Sequence, residues 1–200
     1  MSASDRQAPA HAPMTQFPSR DGELLVGGLP ITRLTARVGS TPFYVYDRTV
    51  IAARISALRA ALPENIKIHY AMKANPMPAL VAYMAGRVDG IDVASGGELK
   101  VALDAGANPD EISFAGPGKS TSDLRRAAAA GVLINVESFQ EVELLSQISR
   151  EDGYRARVAV RVNPDFELKS SGMKMGGGPK QFGVDAEQVP ELLAAIGRED

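Results

Sequence analysis

The feature that most limits what this chain can fold into is a repeat. From about residue 66 onward a short apolar strand, a turn and a helix follow one another at a spacing of roughly 20 to 25 residues, the signature of successive βα units. Strands are predicted at 66–71, 90–93, 112–114, 132–136 and 156–162, and helices at 77–85, 96–105, 122–130, 139–149 and 186–196. Connections are short apart from 163–184. Strands joined by crossover helices run parallel, because each helix returns the chain to the end of the sheet where the last strand began.

Alternation within the strands decides between parallel architectures. Ile91 and Val93 point one way and Asp92 the other; Ile112 and Phe114 oppose Ser113 and Ala115; Val158, Val160 and Val162 oppose Arg157, Ala159, Arg161 and Asn163. A doubly wound sheet, covered on both faces, would favour continuous apolar runs. A (β/α)8 barrel explains the asymmetry better, with apolar residues under the helices and small or charged ones in the lumen. Lys73, Asp92 and Arg161 would then meet at the carboxyl-end mouth. Closure takes eight strands and about 250 residues, yet five strands are predicted, so either the chain holds part of a longer polypeptide or the barrel reading fails.

Residues 1–21, rich in Ala, Pro and Ser, read as a disordered tail with no secretory signal. Residues 22–46 read as a β segment of a second domain, with a strand at 24–26 ending at Gly27-Gly28, a brief helix at 31–38 and an aromatic strand at 41–46. Asp47 caps a helix reaching about Ala61, with Ile51, Ile55, Leu58 and Leu62 on one stripe. The barrel portion is assigned to 47–200.

Lys73 stands at the end of the first repeat strand. There Ile66, Ile68, Tyr70 and Met72 alternate with Lys67, His69, Ala71 and Lys73, and Asn75 is read as a helix cap with Pro76 in the first turn. A lysine at the buried end of such a strand is a candidate amine nucleophile toward a carbonyl, forming a Schiff base. The plainer alternative is an ammonium that reaches back to solvent. Ser95 with Glu98, and Ser138 with Glu141, fit the S-x-x-E capping box; the first pair follows Asp92 and suits a site role equally. The run Ala115 to Ser120 looks like a phosphate loop but has Ser113 where the first glycine belongs. The glycine-rich loop at 163–184 suits either a lid or a plain connection.

Composition removes several alternatives. No cysteine means no disulfide, thiolate metal site or cysteine nucleophile in this stretch, and His11 and His69 are too few and too far apart for a histidine metal centre. A net charge of −2 with mixed signs favours neither nucleic acid nor an anionic membrane. No apolar run of about 18 residues is present, so a cytoplasmic location is expected.

Three ordered motifs, Tyr70-Ala71-Met72-Lys73-Ala74-Asn75, Asp92-Val93-Ala94-Ser95-Gly96-Gly97-Glu98-Leu99 and Phe114-Ala115-Gly116-Pro117-Gly118-Lys119-Ser120, resemble the fold-type III pyridoxal 5′-phosphate-dependent decarboxylases of the diaminopimelate and ornithine decarboxylase group. The stretch from Ser170 to Gly183 is similar to the subgroup found with exosortase A systems. The resemblance implies a barrel of the alanine racemase and decarboxylase type, of which about five of eight strands are present. It implies that Lys73 holds the cofactor as a Schiff base, that Ala71, Asp92 and Arg161 line it, and that Glu98 is a nearby acid. It further implies decarboxylation of a diamino or basic amino acid, diaminopimelate first, in the setting of lysine biosynthesis, by a homodimer when full length. Gln181 stands where relatives often carry a lysine. The family's ring-stacking histidine, phosphate loop and pyridine-facing acid lie beyond residue 200, so the segment alone is expected neither to close nor to turn over. A racemase on the same barrel is the rival enzyme, disfavoured because Ala74-Asn75-Pro76 follows the lysine. A cofactor-binding relative without catalysis is the rival from another class.

Overall fold

In the computed structural model, residues 15–164 and 181–197 are described, and the chain divides into units 1–63 and 64–200. Two tight turns organise the first unit. Asp21 and Gly22, and again Gly27 and Gly28, all take positive φ, the backbone that two-residue hairpin turns require. Strands β1 (Ser19–Arg20), β2 (Glu23–Val26) and β3 (Leu29–Pro30) therefore form an antiparallel sheet, with Arg20 opposite Glu23 and Val26 opposite Leu29. The predicted tail thus ends too late: Asp21-Gly22 is a strong hairpin dipeptide, and it draws Ser19 and Arg20 into the sheet. Residues 1–14 of that tail lie outside the described residues.

Helix α1 (Ile31–Val38) follows as predicted and stops at Gly39, which adopts the left-handed conformation of a helix C-terminus. The expected aromatic strand at 41–46 is absent, and Tyr44 is 91% exposed. Strand propensity reports fit to a half-buried ladder, and no such ladder is paired with this run. Helix α2 (Arg48–Ala61) is capped by Asp47, whose Oδ1 accepts from the Thr49 backbone N–H at 2.8 Å and hydroxyl at 2.7 Å. No residue of α2 is buried, and it groups with the first unit, so the division falls after Pro63 rather than after Tyr46.

The second unit pairs its strands in the order in which they occur. β4 (His69–Ala71), α3 (Pro78–Ala85), β5 (Gly90–Val93), α4 (Gly96–Asp104), β6 (Ile112–Phe114), α5 (Thr121–Ala130), β7 (Leu133–Val136), α6 (Phe139–Asp152) and β8 (Arg157–Val160) alternate along the chain, and β4 to β8 form one parallel sheet without a reversal. A doubly wound sheet reverses at its switch point; this progression is that of a partial α/β barrel. Beyond Arg161 the strand continues as β9 (Val162–Asn163), which pairs in parallel with β10 (Val184–Asp185) ahead of α7 (Val189–Ile196).

The two faces of the sheet differ as the alternation requires. Ile91, Val93, Ile112, Phe114, Ile134 and Val136 are buried in one cluster with Leu99, Leu124, Leu145 and Ile148 from the helices. Asp92, Ser113 and Asn135 lie on the other face, along a cavity. At the last strand the pattern breaks, since Val162 is 46% exposed while Asn163 is buried.

Two boundaries shift for local reasons. β4 begins at His69 rather than residue 66, because its partner strand starts only at Gly90, in register with His69. Helix α3 begins at Pro78 rather than Met77, and Pro76 lies ahead of it rather than in its first turn. Each proline biases the residue before it toward extended backbone, so the second of the pair sets the start, and Asn75 instead receives the Met77 N–H at 3.0 Å.

Candidate functional site

The end of β4 turns Lys73 away from the core. Met72–Ala74 is a single 3-10 turn in which Met72 is fully buried and Lys73 is exposed. Tyr70 fixes the turn from below by donating its hydroxyl to the Asn75 carbonyl at 2.9 Å. The buried position expected for the lysine is therefore replaced by one at an open rim.

Parallel register builds the floor beside it. Ala71 pairs with Asp92, and Asp92 with Ser113, which places three lumen-facing residues in one row across β4, β5 and β6. Asn135 on β7 donates Nδ2 to Ser113 Oγ at 2.8 Å. His69 lies one step back along β4, with Nδ1 at 3.0 Å from Asp92 Oδ1. Its ring passes over Gly90, where a Cβ would collide with the ring and with the Glu111 carbonyl. Glycine at the head of β5 is therefore what lets His69 reach Asp92.

The far wall is held by a buried ionic cluster. Arg161 donates Nη1 to Glu137 Oε1 at 3.2 Å and stands 5.1 Å from the centre of the Phe182 ring. Glu137, its side chain 1% exposed, also accepts the Gly116 N–H at 2.6 Å and the Gly183 N–H at 3.1 Å. Its own N–H donates to Glu141 Oε2 at 2.8 Å. Glu141 Oε1 pairs at 2.9 Å with Lys119, whose amine also donates to the Gly116 carbonyl at 2.5 Å. Lys119, from the run that imitates a phosphate loop, thus spends its charge on the protein itself.

Ala71, Lys73, Asp92 and Arg161, all singled out from the sequence, line one cavity of about 690 Å³ together with Ser113, Asn135 and Phe182. Glu98 is placed differently. Its N–H donates to Ser95 Oγ at 3.2 Å and its Oε2 accepts the Ala94 N–H at 2.7 Å, so the pair caps α4 at the cavity's edge. Ser138 caps α6 in the same manner, with Glu141 reaching Glu137 rather than Ser138 itself. A reciprocal capping box that the sequence reading did not identify joins Ser120 and Asp123 at α5.

Sequence reasoning also missed Glu137. The alternation that sent Asp92 and Arg161 to the lumen continues along β7 through Asn135 to Glu137, and that signal would have found it. The stretch from Ser170 to Gly183 that carries the exosortase resemblance, and most of the 163–184 loop read as a lid, lie outside the described residues; only Gln181, Phe182 and Gly183 of the former are described. Among the described residues no group of three or more acidic or imidazole side chains could hold a metal, and no helix is long and apolar enough to cross a membrane. An amine, a carboxylate, a guanidinium, a hydroxyl and a carboxamide around a space of this size suit a small, flat, anionic molecule bearing a carbonyl.

Residues 48–200 match the family model for the pyridoxal-dependent decarboxylases, pyridoxal binding domain. A diaminopimelate decarboxylase of Aquifex aeolicus is 42% identical over 172 residues, covering 85% of this chain and 40% of that protein. An L-glutamyl-[BtrI acyl-carrier protein] decarboxylase of Niallia circulans is 38% identical over 167 residues, covering 83% of this chain and 39% of the relative. The crystal structure of a diaminopimelate decarboxylase from Helicobacter pylori complexed with L-lysine superposes with a TM-score of 0.76 at 29% identity, over 84% of this chain and 43% of that one. The chain spans about two fifths of the length of the curated relatives it matches.

Proposed function

The chain belongs to the pyridoxal-dependent decarboxylases, and from that premise we propose that the protein removes a carboxylate from a diamino or basic amino acid, diaminopimelate first, with Lys73 as the tether of its cofactor. The cofactor of the family is pyridoxal phosphate, and the residues present fit it. The cavity volume of about 690 Å³ falls inside the roughly 300–1,000 Å³ usual for small-molecule sites. Among its described lining residues Lys73 is the one lysine, and Ala71, Ala94 and Ala115 leave space for a planar ring.

When bound, pyridoxal phosphate supplies an electron sink for the pair left behind as carbon dioxide departs. The chain's own groups do the holding. Lys73, on an exposed turn, offers an amine able to condense with an aldehyde and to be exchanged for the amine of an incoming amino acid. Arg161 presents a fixed positive charge to the cavity, and Asp92 a carboxylate whose Oδ1 is oriented by His69. Fixed charges of this kind act without reorganising as the reaction proceeds. Homodimer formation belongs to the same proposal and rests on the family resemblance; a cytoplasmic location, the default reading of the sequence, belongs to it as well.

The observation that carries the proposal is the meeting of Lys73, Asp92 and Arg161 around one cavity at the carboxyl ends of parallel strands. Borohydride reduction of the full-length holoprotein followed by peptide mapping is expected to find the cofactor on Lys73. Lys73→Ala is expected to abolish the visible absorbance of the bound cofactor and to lower carbon dioxide release by more than about 10³-fold. Because Lys73 is exposed, its replacement should leave the stability of the cofactor-free protein within about 0.5 kcal/mol. Cofactor found on a different lysine would overturn the assignment.

Carbon dioxide release from diaminopimelate, lysine, ornithine and arginine tests the substrate. The likeness to a relative named for a carrier-protein-bound glutamyl substrate favours a second reading, an amino acid presented on a carrier, and a carrier-linked substrate in the same assay separates the two.

A further inference from the structure

We infer that Glu137, which does not itself line the cavity, is a positioning residue that sets the cofactor cavity's far wall by fixing Arg161, Gly116 and Gly183 against one another. This rests on the cofactor reading above and goes beyond it in assigning how the wall is held.

The argument begins from the cost of burying charge. Glu137 and Glu141 face Lys119 and Arg161, so two negative and two positive groups offset one another in a cluster whose Glu137, Glu141 and Lys119 side chains are 1%, 7% and 0% exposed. Charges so removed from water persist only when paired and fully hydrogen-bonded. The two oxygens of Glu137 meet this condition by receiving three donors: the Gly116 N–H and Arg161 Nη1 at Oε1, and the Gly183 N–H at Oε2.

Those donors come from separate pieces of wall, the loop after β6, the end of β8 and the segment leading into β10. Gly116, Arg161 and Phe182 all line the cavity. Gly183 can present its N–H because it has φ +75° and no side chain; a Cβ there would lie 2.8 Å from the Arg161 carbonyl. One carboxylate therefore coordinates three segments that sequence separates by 21 to 46 residues from Glu137. Glutamine at this position keeps the volume but loses the charge facing Arg161, and turns an amide donor toward one of the donors that Glu137 now satisfies.

The test uses full-length protein stripped of cofactor and titrated with pyridoxal phosphate, followed by visible absorbance, for the wild type, Glu137→Gln, Arg161→Gln and the double variant. Glu137→Gln is expected to weaken cofactor binding by about 10- to 100-fold, the scale on which outer supporting groups act. The double variant is expected to bind more weakly than Arg161→Gln alone but by less than the product of the two single effects, because the part of the Glu137 effect that runs through Arg161 is already lost in Arg161→Gln. Unchanged affinity in Glu137→Gln, or effects that multiply in full, would overturn the inference.

Amide hydrogen exchange on the wild type needs no variant to fold. Cofactor loading is expected to slow exchange at Gly116 and Gly183 together, and slowing at neither or at only one would count against the shared carboxylate. A wild type that takes up no cofactor would sink both this inference and the cofactor reading. Normal uptake with an indifferent Glu137→Gln would sink this one alone.

Discussion

The two ends of the strand order build the cavity on opposite plans. At the β4 end the groups are open: Lys73 is exposed on a short turn, and the His69 and Asp92 side chains that meet beside it are 28% and 46% exposed. At the β7–β8 end Lys119, Glu137 and Glu141 are closed off from water and bonded at every turn. The difference matches the roles proposed above for the two ends. Under the proposed function, an amine that exchanges partners would need room and solvent, whereas a guanidinium that presents a fixed charge would need a surrounding that does not relax.

The comparison is broken most forcefully at Lys119. If the closed end is stabilised by paired buried charge, Lys119→Met leaves Glu141 buried without its cation and should cost about 3–5 kcal/mol in denaturant unfolding. The contrast with Lys73→Ala is then one of kind: one lysine lost from the chemistry with stability kept, the other lost from stability. A Lys119→Met protein as stable as the wild type would show that the ion pair is replaceable by apolar packing, and the two ends would no longer differ as described.

A smaller effect is expected at the open end. Gly90→Ala places a Cβ against the Glu111 carbonyl, which cannot rotate away, and against the His69 ring, which can. Overpacking of this sort costs about 1–3 kcal/mol. The ring should give way first, so loss of the His69 to Asp92 contact, read from the imidazole NMR signals, is expected to accompany the fall in stability. An unperturbed imidazole would mean that the backbone moved instead.

Much of this was legible in the chain and some was not, for reasons that differ by residue. The βα spacing and the alternation at Ile91, Asp92 and Val93 were enough for the parallel order and for the face on which Asp92 lies, because both depend on local periodicity. Helix α1 was read to the residue for the same reason. The run at 41–46 failed because a strand needs a partner that no local pattern supplies. Glu98 and Ser95 could not be assigned between cap and site from spacing alone, and the hydrogen bonds to Ala94 and Ser95 place them in the cap of α4. The closed end was the hardest to read: Lys119, Glu137, Glu141 and Arg161 are distant in sequence, and only the register of β6, β7 and β8 brings them together.

The smallest expected effect sits outside the cavity and sharpens the comparison by its pH dependence. Asp47 is an exposed carboxylate, and the Thr49 hydroxyl that bonds it, together with the Thr49 backbone N–H, holds it below the ordinary aspartate value of 3.8. A group whose folded pKa is depressed binds its proton more weakly in the folded state. Its contribution is therefore complete above the unfolded value and is lost as pH falls through the folded one. Asp47→Ala should lower the melting temperature slightly near neutral pH, and the gap between variant and wild type should narrow as the solution is taken to about pH 3. Calorimetric melts of both proteins across that range supply the measurement. A gap that widened toward acid would mean that the neutral carboxyl, not the carboxylate, makes the cap.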